Sequence, residues 1–153
     1  MTKLKEGAQA PAFTGKDEQG NEISLSDFKG KKLILFFYPQ DNTPTCTKEA
    51  CNLRDNHQKL KEAGFEIVGV SPDSERKHQN FIKKHSLSFP LIADTNRKVI
   101  EAYDVWGPKK SFGKEYDGLR RTTFVIDEEG KISRIFTKVK AADHAGQILE
   151  SYN

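Results

Sequence analysis

The sequence predicts an α/β fold, a mixed sheet flanked by helices on both faces. Apolar runs such as LILFFY (33–38) and FEIVGVSP (65–72) alternate with stretches in helical period. That alternation is the pattern of strands joined by crossover helices. Two further strand-like runs, TTFVID and KISRIF, are separated only by EEG, which reads as an antiparallel hairpin near the end of the chain. A final amphipathic segment then closes the fold.

Taken in order, residues 11–30 are turn-rich, with QGN and FKG marking tight bends between short strands, an N-terminal β-hairpin. KKLILFFYP is a near-continuous apolar run ended by Pro39, as expected of a strand buried on both faces. After the loop QDN, Thr43 suits an N-cap and Pro44 the first helical position. This helix is expected to run to about residue 63 and stop at Gly64. FEIVGVSP is the second buried strand. SPDSERKHQNFIKKH opens with capping residues and carries His78, Phe81, Ile82 and His85 at helical spacing. FPLIAD reads as the third strand. NRKVIEAYDVWG reads as a short helix with Val99, Ile100 and Tyr103 on one side, and residues 107–118 as a loop. The terminal hairpin follows, and then a helix with Ala145, Ile148, Leu149 and Tyr152 on one face. The order is β-α-β-α-β-α-β-β-α after the N-terminal hairpin.

The 153 residues suit one domain, residues 1–153, with no repeat, linker or low-complexity tract. Lys plus Arg number 25 against 22 Asp plus Glu, and the charges are mixed along the chain. That distribution argues against a nucleic-acid binder, which gathers basic residues into a block or stripe. The N-terminal MTKLKEGAQAPAF has no apolar signal core, and LILFFY is far too short to span a bilayer. A cytoplasmic protein without membrane contact is therefore expected. His57, His78, His85 and His144 fall in no metal-ligand spacing with the cysteines, and no Gly-rich phosphate loop is present. No metal and no cofactor are expected.

The chain's only two cysteines, Cys46 and Cys51, lie in YPQDNTPTCTKEAC. In a reducing compartment such a pair is more often catalytic, redox-active or merely buried than a permanent staple. With Thr43 as N-cap, Cys46 takes the third helical position, near backbone N–H groups without intrahelical partners. The positive end of the helix dipole favours a thiolate there, and the thiolate is the nucleophilic form. The alternative is a small, inert, buried side chain. Three features weigh against it. The site follows a buried strand, it is flanked by Thr43, Thr45 and Thr47, and a second thiol lies close by. Along an intact helix Cys51 stands about 140° around and about 7.5 Å beyond Cys46. Their Cα atoms are then about 8 to 9 Å apart, beyond the disulfide limit of about 7 Å. An intact helix forbids the bridge. Either the first turns unwind to form it, or Cys51 faces the core and never meets Cys46.

YPQDNTPTCTKEACNLRD resembles the active-site segment of the peroxiredoxins, in particular the bacterioferritin comigratory protein or PrxQ subfamily. Pro39, Thr43 and Cys46 meet the pattern Pro-x-x-x-Thr-x-x-Cys, Glu49 follows three residues on, and Cys51 is the second cysteine that marks the subfamily. SLSDFKGKKLILFFYP, VWGPKKSFGKEYDG and RRTTFVIDEEGKI extend the likeness over nearly the whole chain. The resemblance implies a thioredoxin-like fold and a thiol-dependent peroxidase acting on hydrogen peroxide and organic hydroperoxides. It implies that Cys46 attacks the O–O bond and becomes a sulfenic acid, and that Cys51 then forms an intramolecular disulfide with it. Thioredoxin or a similar dithiol is the implied reductant, and a monomer the implied state. Arg121 matches the family's active-site arginine, a fixed charge able to hold sulfur and peroxide together. Thr43 is expected beside the peroxide, or else as a cap, and Pro39 as a shield for the sulfur. Glu49 lies one turn after Cys46 on the same face. A carboxylate touching sulfur would oppose the thiolate, so Glu49 is assigned to orienting Arg121, the alternative being an exposed helix acid. Arg120 is expected to point away from Arg121.

Two other functions compete. A thioredoxin-like protein disulfide oxidoreductase usually carries Cys-x-x-Cys and a cis-proline before the strand after its third helix. Here the spacing is Cys-x-x-x-x-Cys, and RRTTF has no proline. The other competitor is a non-catalytic redox-sensing or chaperone-like module.

Overall fold

The computed structural model describes residues 2–111 and 113–152. Its centre is a five-stranded sheet. The strands are β3 (Lys32–Phe37), β4 (Phe65–Ser71), β5 (Leu91–Ala93), β8 (Thr122–Ile126) and β9 (Ile132–Phe136). They lie in the order β5-β4-β3-β8-β9. β3 pairs in parallel with β4 from Lys32↔Phe65 to Phe37↔Val70, and antiparallel with β8 from Leu33↔Ile126 to Phe37↔Thr122. A strand paired on both edges and covered on both faces needs apolar residues throughout, which accounts for LILFF.

Period-2 alternation divides that run between two cores. Leu33, Leu35 and Phe37 pack with Phe13, Val99, Ile100, Tyr103 and Val105 on one face. Ile34, Phe36 and Tyr38 pack with Cys46, Ala50, Leu53, Leu60, Phe81 and Ile148 on the other. All of β3 beyond Lys32 is buried. At about 1.5–3 kcal/mol for each large apolar side chain, this strand is the main anchor of whatever sits at its end.

Helices cover both faces. α4 (Lys98–Ala102) supplies Val99 and Ile100 to the first core. The second is covered by α1 (Pro44–Asp55), α2 (His57–Glu62), α3 (Glu75–His85) and α5 (His144–Glu150). An N-terminal hairpin, β1 (Thr14–Lys16) with β2 (Glu22–Ser24), turns through Gly20 at φ +79°. The thioredoxin-like mixed sheet and its N-terminal hairpin are thus as expected.

Two local expectations are corrected. The helix expected over 44–63 is broken at Asn56 (φ −107°, ψ 10°), between α1 and α2. The Asn56 side-chain amide donates to the Asn52 carbonyl at 2.8 Å, and such local side-chain bonding competes with helix continuation. The stop at Gly64, with φ +91°, stands. Residues 107–118 are not a loop. β6 (Trp106–Ser111) and β7 (Lys114–Leu119) form an antiparallel ribbon paired from Trp106↔Leu119 to Ser111↔Lys114. Backbone pairing holds the ribbon, so glycines, Pro108 and lysines suffice without an apolar alternation.

Candidate active site

β3 delivers the chain to Tyr38, and the loop that follows is pinned from below. The Tyr38 hydroxyl donates to Asp41 Oδ1 at 2.6 Å, and Asp41 Oδ2 lies 2.7 Å from His78 Nδ1. His78 Nε2 lies 3.0 Å from the Ile92 carbonyl oxygen, and the Asp41 N–H donates to Asp73 Oδ2 at 2.6 Å. All four side chains are buried. Burial first, and then the Asp41 carboxylate, pushes the Tyr38 hydroxyl pKa well above its ordinary value, so this phenol stays a donor.

The loop turns through Asn42 at φ +62° and enters α1 at Pro44. Thr43 has the extended backbone of an N-cap, but its side chain makes no cap hydrogen bond. Its hydroxyl donates instead to the Gln40 carbonyl at 3.0 Å. The first turn of α1 therefore has no side-chain acceptor at its mouth, and the positive end of the helix is not neutralised there. Cys46 occupies the third helical position with 1% of its surface exposed.

Arg121, immediately before β8, reaches across to α1. Its Nη2 donates to Cys46 Sγ at 3.0 Å and its Nη1 to Glu49 Oε1 at 2.6 Å. Glu49 is fully buried, not exposed as the alternative reading had it. Burial raises the Glu49 carboxyl pKa to about 7, outweighing the charge and hydrogen bond of Arg121, which pull it down. Arg120 points elsewhere. Its guanidinium lies over Gly107 of β6, where a Cβ would stand 3.0 Å from Arg120 Nη2. That glycine makes room for the flat contact.

The structure thus brings together Cys46, Glu49 and Arg121. Pro39 and Thr43 stand beside them along the chain, both partly buried. Cys51, half-buried on the same unbroken α1, is a free thiol, as is Cys46. Two residues near the site carried no signal in the sequence. Lys109 of β6 has its pKa lowered by burial and by the charge of Arg121, against an opposing pull from Cys46. It lines a cleft of about 350 Å³ with Arg120, Arg121, Thr122, Thr2 and Thr137. His144, fully buried at the start of α5, places Nε2 at 3.6 Å from Glu49 Oε2. A more apolar cleft of about 300 Å³, walled by Leu25, Phe28, Leu33 and Ile126, lies at the opposite end of β3, away from the thiols. Among the described residues no group of three or more His, Cys, Asp and Glu is placed to hold a metal ion.

A thiol at a helix mouth, hydrogen-bonded to a largely buried arginine on a thioredoxin-like sheet, defines a thiol-based redox enzyme. Comparison with known proteins gives the family. Residues 7–135 match the AhpC/TSA family. The chain is 48% identical to Peroxiredoxin Bcp of Bacillus subtilis over 95% of its own length and 92% of that protein's. To Peroxiredoxin Bcp of Escherichia coli K12 it is 42% identical, covering 97% and 96%. Among solved structures, Peroxiredoxin Q of Xanthomonas campestris superposes with a TM-score of 0.86 at 33% identity, covering 98% of this chain and 95% of that one. A bacterioferritin comigratory protein from the same organism, described for its alkyl peroxide reduction activity, gives 0.86 at 32% identity, covering 99% and 96%. The chain belongs to the AhpC/TSA family and is a peroxiredoxin, a thiol-dependent peroxidase.

Proposed function

We propose that residues 1–153 act as one catalytic domain that reduces hydrogen peroxide and organic hydroperoxides, with Cys46 as the attacking thiol and Cys51 as the resolving one. The observation that carries this reading is the Arg121 guanidinium, shared between Cys46 Sγ and Glu49. It is a permanent cation fixed against the sulfur in a dry site, where it favours the thiolate and faces the charge that develops on a departing oxygen.

The Cys46 thiolate attacks the distal peroxide oxygen. The S–O bond forms as O–O breaks, and the leaving hydroxide or alkoxide takes a proton from solvent to become water or alcohol. Cys46 is left as a sulfenic acid, oxidised by two electrons. The Thr43 hydroxyl, already donating to Gln40, offers its lone pairs to the peroxide O–H. Pro39 limits the approach of water, and Glu49 orients Arg121. The Cys51 thiolate then attacks the Cys46 sulfur, forming the disulfide and expelling hydroxide. An external dithiol of the thioredoxin kind returns two electrons by exchange.

The resolving step needs α1 to unwind, because both thiols sit on one continuous helix. α1 buries only Cys46, Glu49, Ala50 and Leu53, and its N-cap side chain contributes nothing. Melting its first turns therefore loses no side-chain cap, but it breaks the Arg121 bonds to Cys46 and Glu49. With both thiols on one helix, the cycle needs no second copy of the chain, and we propose a monomer. A cytoplasmic location suits a cycle that depends on free thiols. Among the described residues no helix is long and apolar enough to cross a membrane.

The test is thiol counting and mass after peroxide addition to the reduced protein. Rapid loss of two thiols without cross-linked oligomers is expected. Cys46→Ser is expected to abolish turnover. Cys51→Ser is expected to allow one fast oxidation and then stall with a thioredoxin-type reductant. Undiminished cycling of Cys51→Ser would refute the resolving role, and peroxide turnover by Cys46→Ser would refute the attacking one.

A further inference from the structure

Glu49 has two oxygens, and Arg121 engages only Oε1. Oε2 is buried without a hydrogen-bond partner. An orphaned carboxylate oxygen in a dry site is costly. What faces it is His144 Nε2, at 3.6 Å.

The hydrogens on that ring are fixed by its neighbours. The Gln147 amide donates through Nε2 to the Lys138 carbonyl at 2.9 Å, and Gln147 Oε1 accepts the Lys140 N–H at 3.0 Å. Oε1 is therefore the atom that meets His144 Nδ1 at 2.9 Å, and Nδ1 carries the hydrogen. Nε2 of the neutral ring then presents its lone pair, with the Thr123 hydroxyl donating to it at 2.8 Å. A bare carboxylate oxygen thus faces an unprotonated imidazole nitrogen whose lone pair is held by the Thr123 hydroxyl, and that hydroxyl must turn its hydrogen away when the pair takes up a proton. A proton between them, with a shift of less than about 1 Å, makes a hydrogen bond of ordinary length.

Resting on the assignment of Cys46 as the reactive thiol, we propose that Glu49 and His144 form a proton-holding pair that sets how much of Arg121's charge is left for the Cys46 sulfur, with His144 acting as a positioning residue. Four groups meet here: Cys46 and Glu49 from α1, Arg121 ahead of β8, and His144 from α5. Lys109 of β6 approaches from the solvent side. With Cys46 as a thiol, Glu49 as a carboxylate and His144 neutral, the four sum to zero around Arg121. When the sulfur gives up its proton and the pair takes one, they again sum to zero. A thiolate beside an ionised Glu49 would set two buried anions on one guanidinium, and like charges in a dry site oppose each other's ionisation. The pair titrates as a unit, whichever of its two atoms carries the proton. The directions agree: burial raises Glu49 to about 7, while burial and the nearby Arg121 hold His144 down at about 4.

The experiment follows alkylation of Cys46 by iodoacetamide between pH 5 and 9, in a Cys51→Ser background. Glu49→Gln keeps an oxygen for Arg121 and is permanently neutral. It is expected to move the midpoint of the reactivity curve toward acid, by about one pH unit. His144→Phe keeps a ring against Phe136, whose centroid lies 5.8 Å from that of His144. It removes the proton partner and is expected to move the midpoint toward alkali. The double variant is expected to match Glu49→Gln, because His144 acts only through the proton on Glu49. Opposite shifts with that epistasis support the pair. Shifts in the same direction, no shift, or a His144→Phe effect that survives in the Glu49→Gln background overturn it. If His144→Phe does not fold, His144→Leu, which is smaller and equally without a proton site, takes its place in the same double-variant comparison. Alkylation needs no peroxide. A protein that alkylates with these shifts but is inert to hydrogen peroxide would sink the peroxidase assignment of Cys46 and leave the pair standing.

Discussion

Replacing Glu49 by Gln has a consequence for stability that can be worked out from the same buried groups. His144 is held at about 4, against an ordinary 6.5. Its contribution to stability is full above pH 6.5 and is lost as pH falls toward 4, because the unfolded chain takes up a proton that the native ring refuses. Glu49 is raised from 4.5 to about 7. Its contribution is full below pH 4.5 and is lost as pH rises through 7. Between about pH 4.5 and 6.5 the two slopes oppose and cancel: the native pair holds one proton, on Glu49, and the unfolded chain also holds one, on His144. Glu49→Gln removes one slope and leaves the other. His144's slope is common to both proteins and drops out, so the difference is Glu49's: the gap between 4.5 and about 7, at roughly 1.4 kcal/mol per pH unit, comes to about 3 kcal/mol. Urea unfolding of reduced wild type and variant at several values from pH 7 to 4 gives the difference directly, and carboxylates common to both drop out. The variant is expected to lose about 3 kcal/mol relative to wild type as pH falls across that range. Parallel stability curves would refute the opposed titrations.

Two further outcomes are expected. Arg121→Met removes a charged donor from the sulfur and is expected to slow peroxide-driven oxidation of Cys46 by about 100- to 1,000-fold in single-turnover assays. Its cost to stability should grow from pH 6 to 8, as Glu49 loses the proton that lets it stay buried without the arginine. Gly69→Ala in β4 would set a Cβ 2.6 Å from Leu91 Cδ2 and 2.8 Å from the buried Phe36 ring. It is expected to cost about 1–3 kcal/mol in denaturant unfolding while leaving Cys46 alkylation unchanged.

What the sequence made legible follows from how local each signal is. LILFF announces a strand covered on both sides because every one of its residues is buried. Thr43-Pro44 marks the start of α1 because proline at the first helical turn is a local preference. The β6–β7 ribbon escaped, because its pairing is made by backbone groups whose side chains need not alternate. The break at Asn56 escaped because it turns on one side-chain amide reaching the Asn52 carbonyl. The ends of the site differ in the same way. Cys46, Thr43 and Glu49 sit within one helical stretch and could be placed by counting. Arg121 could be chosen over Arg120 only through resemblance, since nothing nearby in the sequence says which of the two meets α1. His144 and Lys109 are assembled by the fold alone: α5 and β6 bring them to α1 from distant parts of the chain.

The pinned loop before α1 bears on the unwinding proposed for that helix. Upstream, Asp41 is tied to Tyr38, His78 and Asp73. Downstream, Asn52 is stapled to the closing helical region, accepting the Ala145 N–H at 2.7 Å and donating to the Ala142 carbonyl at 3.1 Å. Residues 42–51 hang between these two posts, and both sulfurs lie on that span. Slack created there cannot spread along the chain. On the proposed resolving step, the oxidised chain would offer its reductant a short tethered bight, ready to wind back once the sulfurs part.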